Sequence, residues 1–113
     1  MAAELGVEAL RAEIDQIDEV LVRLLDSRAR CAYAIGRVKR RAGTPVYEPA
    51  RESSVLAHVR AVNQALAGPL DDEAVVRLFE RIIDEARRIQ RLEATRADEA
   101  SVGNDAVATG QGE

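Results

Sequence analysis

Apolar residues recur along the first third of the chain in alternating steps of four and three. The positions are Leu10, Ile14, Ile17, Leu21, Leu24, Arg28, Cys31, Ile35 and Val38. Arg28 is the one charged member of a seam sustained over about four heptads. The pattern predicts one helix from about residue 5 to 41, roughly 55 Å long at 1.5 Å per residue. Gly36 falls inside it, at a cost of about 1 kcal/mol relative to Ala. Either the helix tolerates this glycine, or something approaches the backbone closely there.

Gly43 and Pro45 end that helix, since Gly suits the left-handed position past a C-cap and Pro commonly follows. Thr44, before Pro, is pushed toward extended geometry. Pro49 suits the first turn of a second helix, predicted over about 49–67. Val55, Leu56, Val59, Val62 and Leu66 form its apolar face, and Gly68-Pro69 stops it. Asp71 or Asp72 caps a third helix, predicted over 71–94. Its stripe is Val75, Leu78, Phe79, Ile82, Ile83, Ala86, Ile89 and Gln90. Residues 95–113 show no periodicity and little bulk, and are expected to be a disordered polar tail. The expectation is therefore an all-α fold: one helical domain over residues 1–94, three helices with a very long first, and a tail.

Composition adds limits. The chain has 113 residues, enough for one domain at most, and only 3% aromatics, so Leu, Ile, Val and Ala must build the core. A chain this short buries a limited fraction of its surface alone, so association would help it. The single cysteine, Cys31, leaves no intramolecular disulfide and suits a reducing cytoplasm. The N-terminus does not read as a signal peptide, and no apolar run approaches the roughly 20 residues that span a bilayer. The net charge is −4. It divides into −3 over residues 95–113 and −1 over residues 1–94, a body close to neutral within which residues 36–51 carry +4. That body lacks the broad basic face a nucleic-acid binder needs.

Polar residues on apolar faces are the candidates for chemistry. Arg28 on the seam either meets an anion, or fixes helix register or snorkels to solvent. Lys39 lies 11 residues beyond it, a net turn of about 20° and a rise of about 16 Å, so both side chains face the same way and can lean onto one ligand. The competing reading is a solvated cluster favoured by the helix C-terminal dipole, and for Arg37, Arg40 and Arg41 that reading is preferred. Gln90 is an amide on an apolar stripe and needs partners, whether a ligand or the core itself. Glu52 opens the second helix, where an acid also suits the dipole. Arg11 precedes Arg28 by 17 residues, about 25 Å along one helix at a bearing of about 260°. Both cannot grip one small anion, so Arg11 in such a role must reach a second subunit's site. One Cys and one His exclude a multi-Cys/His zinc site, His58 is expected on an exposed helix face, and there is no glycine-rich phosphate loop or convincing nucleophile–base pair. Cations, an amide and an acid suit a compact polyanion, polarised without acid–base or covalent chemistry.

LRAEIDQID at 10–18, LLDSRARCAYAIGRVK at 24–39, PVYEPARE at 45–52 and RLFERIIDEARRIQ at 77–90 together resemble the all-helical, AroQ-class chorismate mutases, including the mutase domain of bifunctional chorismate mutase–prephenate dehydratases. The resemblance runs from about Leu10 to Leu92. It implies an intertwined homodimer in which Arg11 enters the partner's pocket, and a concerted Claisen rearrangement of chorismate to prephenate. It implies that Arg28 and the partner's Arg11 bind the two carboxylates, and that Lys39 contacts a carboxylate and the ether oxygen. Gln90 would donate to the same oxygen. Glu52 would accept from the ring hydroxyl, with the Glu48 backbone nearby, and Arg51 would support this arrangement or contact a carboxylate. The turn at Gly43-Thr44-Pro45 would return Glu48, Arg51 and Glu52 over the site. Ala86 stands where related mutases often place a hydroxyl near a substrate carboxylate, so one hydrogen bond is expected to be absent. Glu48 occupies a position that can carry Asp, a change discounted because the expected contact is through the backbone. No metal or cofactor is implied.

With no dehydratase or dehydrogenase segment following, a stand-alone mutase is expected. Two alternatives stand beside it. One is an isochorismate pyruvate lyase on the same scaffold, against which the ARE at 50–52 weighs. The other is a weakly active helical dimer that needs a shikimate-pathway enzyme as partner. Relatives acting on amino-substituted chorismate rank lower still.

Overall fold

The computed structural model describes the backbone of residues 6–111 and the side chains of residues 6–102. Three helices follow one another: α1 (Val7–Ala42), α2 (Pro49–Leu66) and α3 (Asp72–Gln111). There is no strand among the described residues. The expected order, number and length ranking of the first two helices hold, while the start expected near residue 5 lies outside the described residues.

Local chemistry sets each boundary. At the end of α1, Gly43 takes the left-handed conformation at φ 70°. Its N–H donates to the Arg40 carbonyl at 3.2 Å, and the Thr44 N–H donates to the Lys39 carbonyl at 2.9 Å. These are the two bonds of a Schellman ending, which satisfies carbonyls a helix otherwise leaves open. Pro49 opens α2, with Glu48 as the residue before it. Ala67 ends α2 in the left-handed region at φ 51°, its N–H donating to the Asn63 carbonyl at 3.2 Å. Of the two candidate caps for α3, Asp71 is the one that acts: its Oδ1 accepts from the Ala74 N–H at 2.6 Å. Asp72 instead accepts from the amides of Asn63 and Gln64 at 2.9 and 3.0 Å, tying the end of α2 to the start of α3.

Past residue 94 the backbone differs from the expected tail. Helix α3 continues to Gln111. The segment ATRADEA over residues 94–100 has no Gly or Pro and is rich in strong helix formers, so propensity extends the helix after its apolar stripe has ended. The exposure of residues 98–102 fits a helix held by propensity rather than packing.

The chain divides into two units, Met1–Cys31 and Ala32–Glu113. In the first, the described part is the long arm of α1. Most of its seam is uncovered: Ile14 is 54% and Leu24 60% exposed, and Ile17 and Leu21 are exposed as well, as is Leu25 beside the seam. In the second unit the last turns of α1 join α2 and α3. Its core holds Ala32, Val75, Val76 and Ile83, with Gly36 buried beside Ala32.

Candidate active site

Gln90 of α3 lies close against Gly36 of α1 in the second unit. The Gln90 side-chain amide Nε2 donates to the Ala32 carbonyl at 3.2 Å. A Cβ built on Gly36 would stand 3.2 Å from Gln90 Cγ and 3.5 Å from its Cβ. The glycine thus serves close approach: it lets α3 lay Gln90 against the backbone of α1. A primary amide has two N–H donors. Ala32 takes one, and the other has no partner among the described residues.

One turn further along α3, Glu93 is 2% exposed. Its two oxygens accept from Arg40 Nη2 at 2.9 Å and Nε at 3.3 Å. The Arg40 hydrogen bond holds the Glu93 carboxyl below its ordinary pKa, and the cations of Arg37 and Arg41 add to the effect. This corrects the reading of Arg40 as part of a solvated helix end. A buried carboxylate on α3 has captured it, because an unpaired charge there would be costly. Arg37 and Arg41 are exposed, as expected.

Lys39 and Glu48 face each other across the turn that joins α1 to α2. The Lys39 ammonium, its side chain 20% exposed, is paired with the Glu48 carboxylate. The Glu48 side chain makes no capping bond to α2, so it is free for this contact. Only a backbone role was expected at this position, and the side chain is the part that reaches Lys39.

Glu52, with its side chain 22% exposed, meets α3 at Arg87. Arg87 Nε donates to Glu52 Oε2 at 2.8 Å and Nη2 donates to Oε1, a two-pronged pair. The third nitrogen, Nη1, donates to Asp84 Oδ1 at 2.9 Å. The guanidinium also lies 5.7 Å from the centroid of the Tyr47 ring. The Arg87 hydrogen bonds hold the Glu52 carboxyl below its ordinary range against the opposing effect of burial, and the Arg87 pKa is raised in turn. Sequence reasoning missed Arg87. The available signal was spacing, since residues 87, 90 and 93 fall on one face of a helix at steps of three.

The remaining expected residues are less engaged. Ala86 is half-buried, one turn before Gln90. Arg51 is exposed and makes no ion pair among the described residues; its carbonyl accepts from Ser54 Oγ at 2.8 Å. In the first unit, Arg11 pairs with Glu8 at 2.8 Å on an exposed face, and Arg28 is half-buried without an ion pair among the described residues. His58 is exposed.

Two turns of α3, Arg87 to Glu93, thus receive α2 at Arg87 and α1 at Gln90 and Glu93. Next to that junction stand a lysine with a partly exposed partner, an amide with a spare N–H and a carboxylate with its charge balanced. The set is made of hydrogen-bond donors and acceptors; no nucleophile is paired with a base among them.

A family model described as chorismate mutase type II matches residues 10–91. The bifunctional chorismate mutase/prephenate dehydratase of Pseudomonas aeruginosa is 41% identical over 96 residues, covering 80% of this chain and 26% of that protein. The chain thus spans about a quarter of that relative's length. The 4-amino-4-deoxychorismate mutase of Streptomyces venezuelae is 33% identical over 96 residues, covering 85% of this chain and 91% of the relative. Among solved structures, Form II of the chorismate mutase from Thermus thermophilus superimposes with a TM-score of 0.70 at 35% identity, covering 75% of this chain and 93% of that one. The match takes in the seam of α1, the turn, α2 and the Arg87–Gln90 stretch of α3. This chain belongs to the chorismate mutase type II family.

Proposed function

We propose that the protein is a chorismate mutase that converts chorismate to prephenate for phenylalanine and tyrosine biosynthesis, without a cofactor. The reaction is a [3,3] shift in which one C–O bond breaks as a C–C bond forms. No proton moves and no covalent intermediate forms, so the chain needs only to hold the substrate and stabilise charge. Restraining the enolpyruvyl arm over the ring removes conformational freedom. Negative charge grows on the ether oxygen as the C–O bond breaks, and fixed donors aimed at it act in the transition state.

Lys39 and Gln90 are the proposed donors. The observation that carries this is the seating of Gln90 against Gly36, where the Ala32 carbonyl holds the amide and one N–H stays spare. Lys39 exchanges Glu48 for the substrate. A pair whose carboxylate is about half exposed is worth roughly 0–1 kcal/mol, so the exchange costs little. Glu52 accepts from the ring hydroxyl, Arg28 binds a carboxylate, and Arg51 supports the entrance beside the Glu48 backbone. Ala86 offers no hydroxyl to the substrate.

The proposed assembly is a homodimer. The uncovered seam of Ile14, Ile17, Leu21 and Leu24 calls for an apolar partner, and a second copy offers the same seam. Arg11 then reaches the partner's site. No described helix is long and apolar enough to cross a membrane, and the lone exposed Cys31 suits the proposed cytoplasmic location. The test incubates purified protein separately with chorismate and isochorismate and identifies the products. Prephenate from chorismate is expected. Pyruvate from isochorismate, with no prephenate from chorismate, overturns the assignment in favour of a lyase.

A further inference from the structure

All three guanidinium nitrogens of Arg87 donate within one corner of the second unit. Nε and Nη2 clasp Glu52, Nη1 holds Asp84, and the guanidinium lies by Tyr47. Such a clasp fixes the carboxylate plane as well as its charge. We infer that Arg87 is a positioning and specificity-determining residue: it makes Glu52 a charge-compensated acceptor and so selects a ring substituent that is a neutral hydroxyl over one that is an ammonium. This rests on the reading in which Glu52 meets the ring substituent of the substrate.

A carboxylate offers about four lone-pair sites, and Arg87 uses two of them. The others remain for one hydroxyl, held in the plane the clasp defines. An amine on a saturated ring carbon is cationic near neutral pH, and its attraction to Glu52 depends on the net charge it meets. With Arg87 in place that charge is largely cancelled; without it, a mostly buried carboxylate stands uncompensated and favours the cation. The other groups around the pair do not restore the balance. Asp84 shares Arg87 but is 55% exposed, where water screens it. Tyr47 contributes a ring face. Arg51 is exposed, and Lys39 and Glu48 are one cation and one anion that add no net charge, whether paired as here or parted by the substrate.

The test uses the full chain with chorismate and 4-amino-4-deoxychorismate, comparing wild type, Arg87→Met and Arg87→Lys by kcat/KM. Arg87→Met is expected to raise the amino-to-hydroxy ratio of kcat/KM about tenfold. Its KM for chorismate rises more than its kcat falls, because the lost contact is remote from the breaking bond. Arg87→Lys keeps the charge and is expected to hold the ratio within about twofold of wild type, while its KM rises through loss of the clasp. A ratio unmoved in Arg87→Met, or raised equally in Arg87→Lys, overturns the inference. Circular dichroism checks folding, and Arg87→Gln carries the same expectation if the methionine variant does not fold. Wild type that converts chorismate while the ratio stays flat defeats the inference alone. Wild type that converts neither compound defeats the mutase reading and the inference with it.

Discussion

Lys39 and Gln90 are asked for different things. In the proposed mechanism Lys39 leaves Glu48 to follow the substrate, whereas Gln90 is already held by the Ala32 carbonyl. Removing either donor is expected to cost on the order of 3 kcal/mol in the transition state, or roughly a hundredfold in rate. Lys39→Ala and Gln90→Ala should therefore lower kcat by about that factor with a smaller change in KM, whereas Arg28→Ala should worsen both. Steady-state kinetics on chorismate decides between these patterns. The pH profile is a second check at this scale. An amide does not titrate, and Arg87 holds Glu52 below its ordinary range. Turnover should then stay level from about pH 5 to pH 8. An abrupt loss inside that window in folded protein would contradict these roles.

Among elements, the join between α1 and α3 is the one most open to a single substitution. Gly36→Ala gains about 1 kcal/mol of helix propensity but sets a methyl 3.2 Å from Gln90 Cγ. The methyl meets the base of the Gln90 side chain, with its Cα at 3.6 Å, so α3 must shift by a few tenths of an ångström; the expected outcome is that this strain offsets the propensity gain, with kcat lowered as the amide moves. A variant as active as wild type would separate Gly36 from the chemistry. Acid stability belongs to this scale too. Glu52 on α2 and Glu93 on α3 both have depressed carboxyl pKa values through Arg87 and Arg40. Their contributions are full above the unfolded carboxyl value near about 4.3 and fade as pH falls through the lower folded values. Arg40→Met removes the partner of buried Glu93, so it should lower the Tm at pH 7 and shrink the further fall in Tm on acidification. A Tm at pH 7 equal to that of wild type would contradict a holding role for the pair.

Much of this architecture is legible in the chain, for reasons that differ by element. The seam of α1 announces itself because every heptad position from Leu10 to Leu24 and from Cys31 to Val38 is apolar, and Gly43, Pro49 and Asp71 punctuate the ends. Gly36 could be flagged as a close approach, but its visitor, Gln90, could not be named without knowing how α3 lies on α1. Arg40–Glu93 and Arg87–Glu52 stayed hidden for the same reason: such pairs link residues 53 and 35 positions apart, and charged residues at helical spacing look alike until register is known. The extension of α3 past residue 94 escaped an argument built on apolar stripes, because the helix formers of residues 94–100 carry it on without one.

For the molecule as a whole, the claim is an active site completed by two copies. Arg11 and Arg28 lie about 25 Å apart along α1, so a shared substrate needs Arg11 from the partner. Arg11→Ala and Arg28→Ala homodimers should each be nearly inactive. Mixed, their heterodimers should recover activity through one intact composite site; no recovery despite confirmed subunit exchange would sink the shared-site model. The most direct test of the central claim follows chorismate by proton NMR with wild type and with Lys39→Ala. Accumulating prephenate, slowed roughly a hundredfold by the substitution, is the predicted result. Chorismate left unchanged by folded wild-type protein, or consumed as fast by Lys39→Ala, would contradict it.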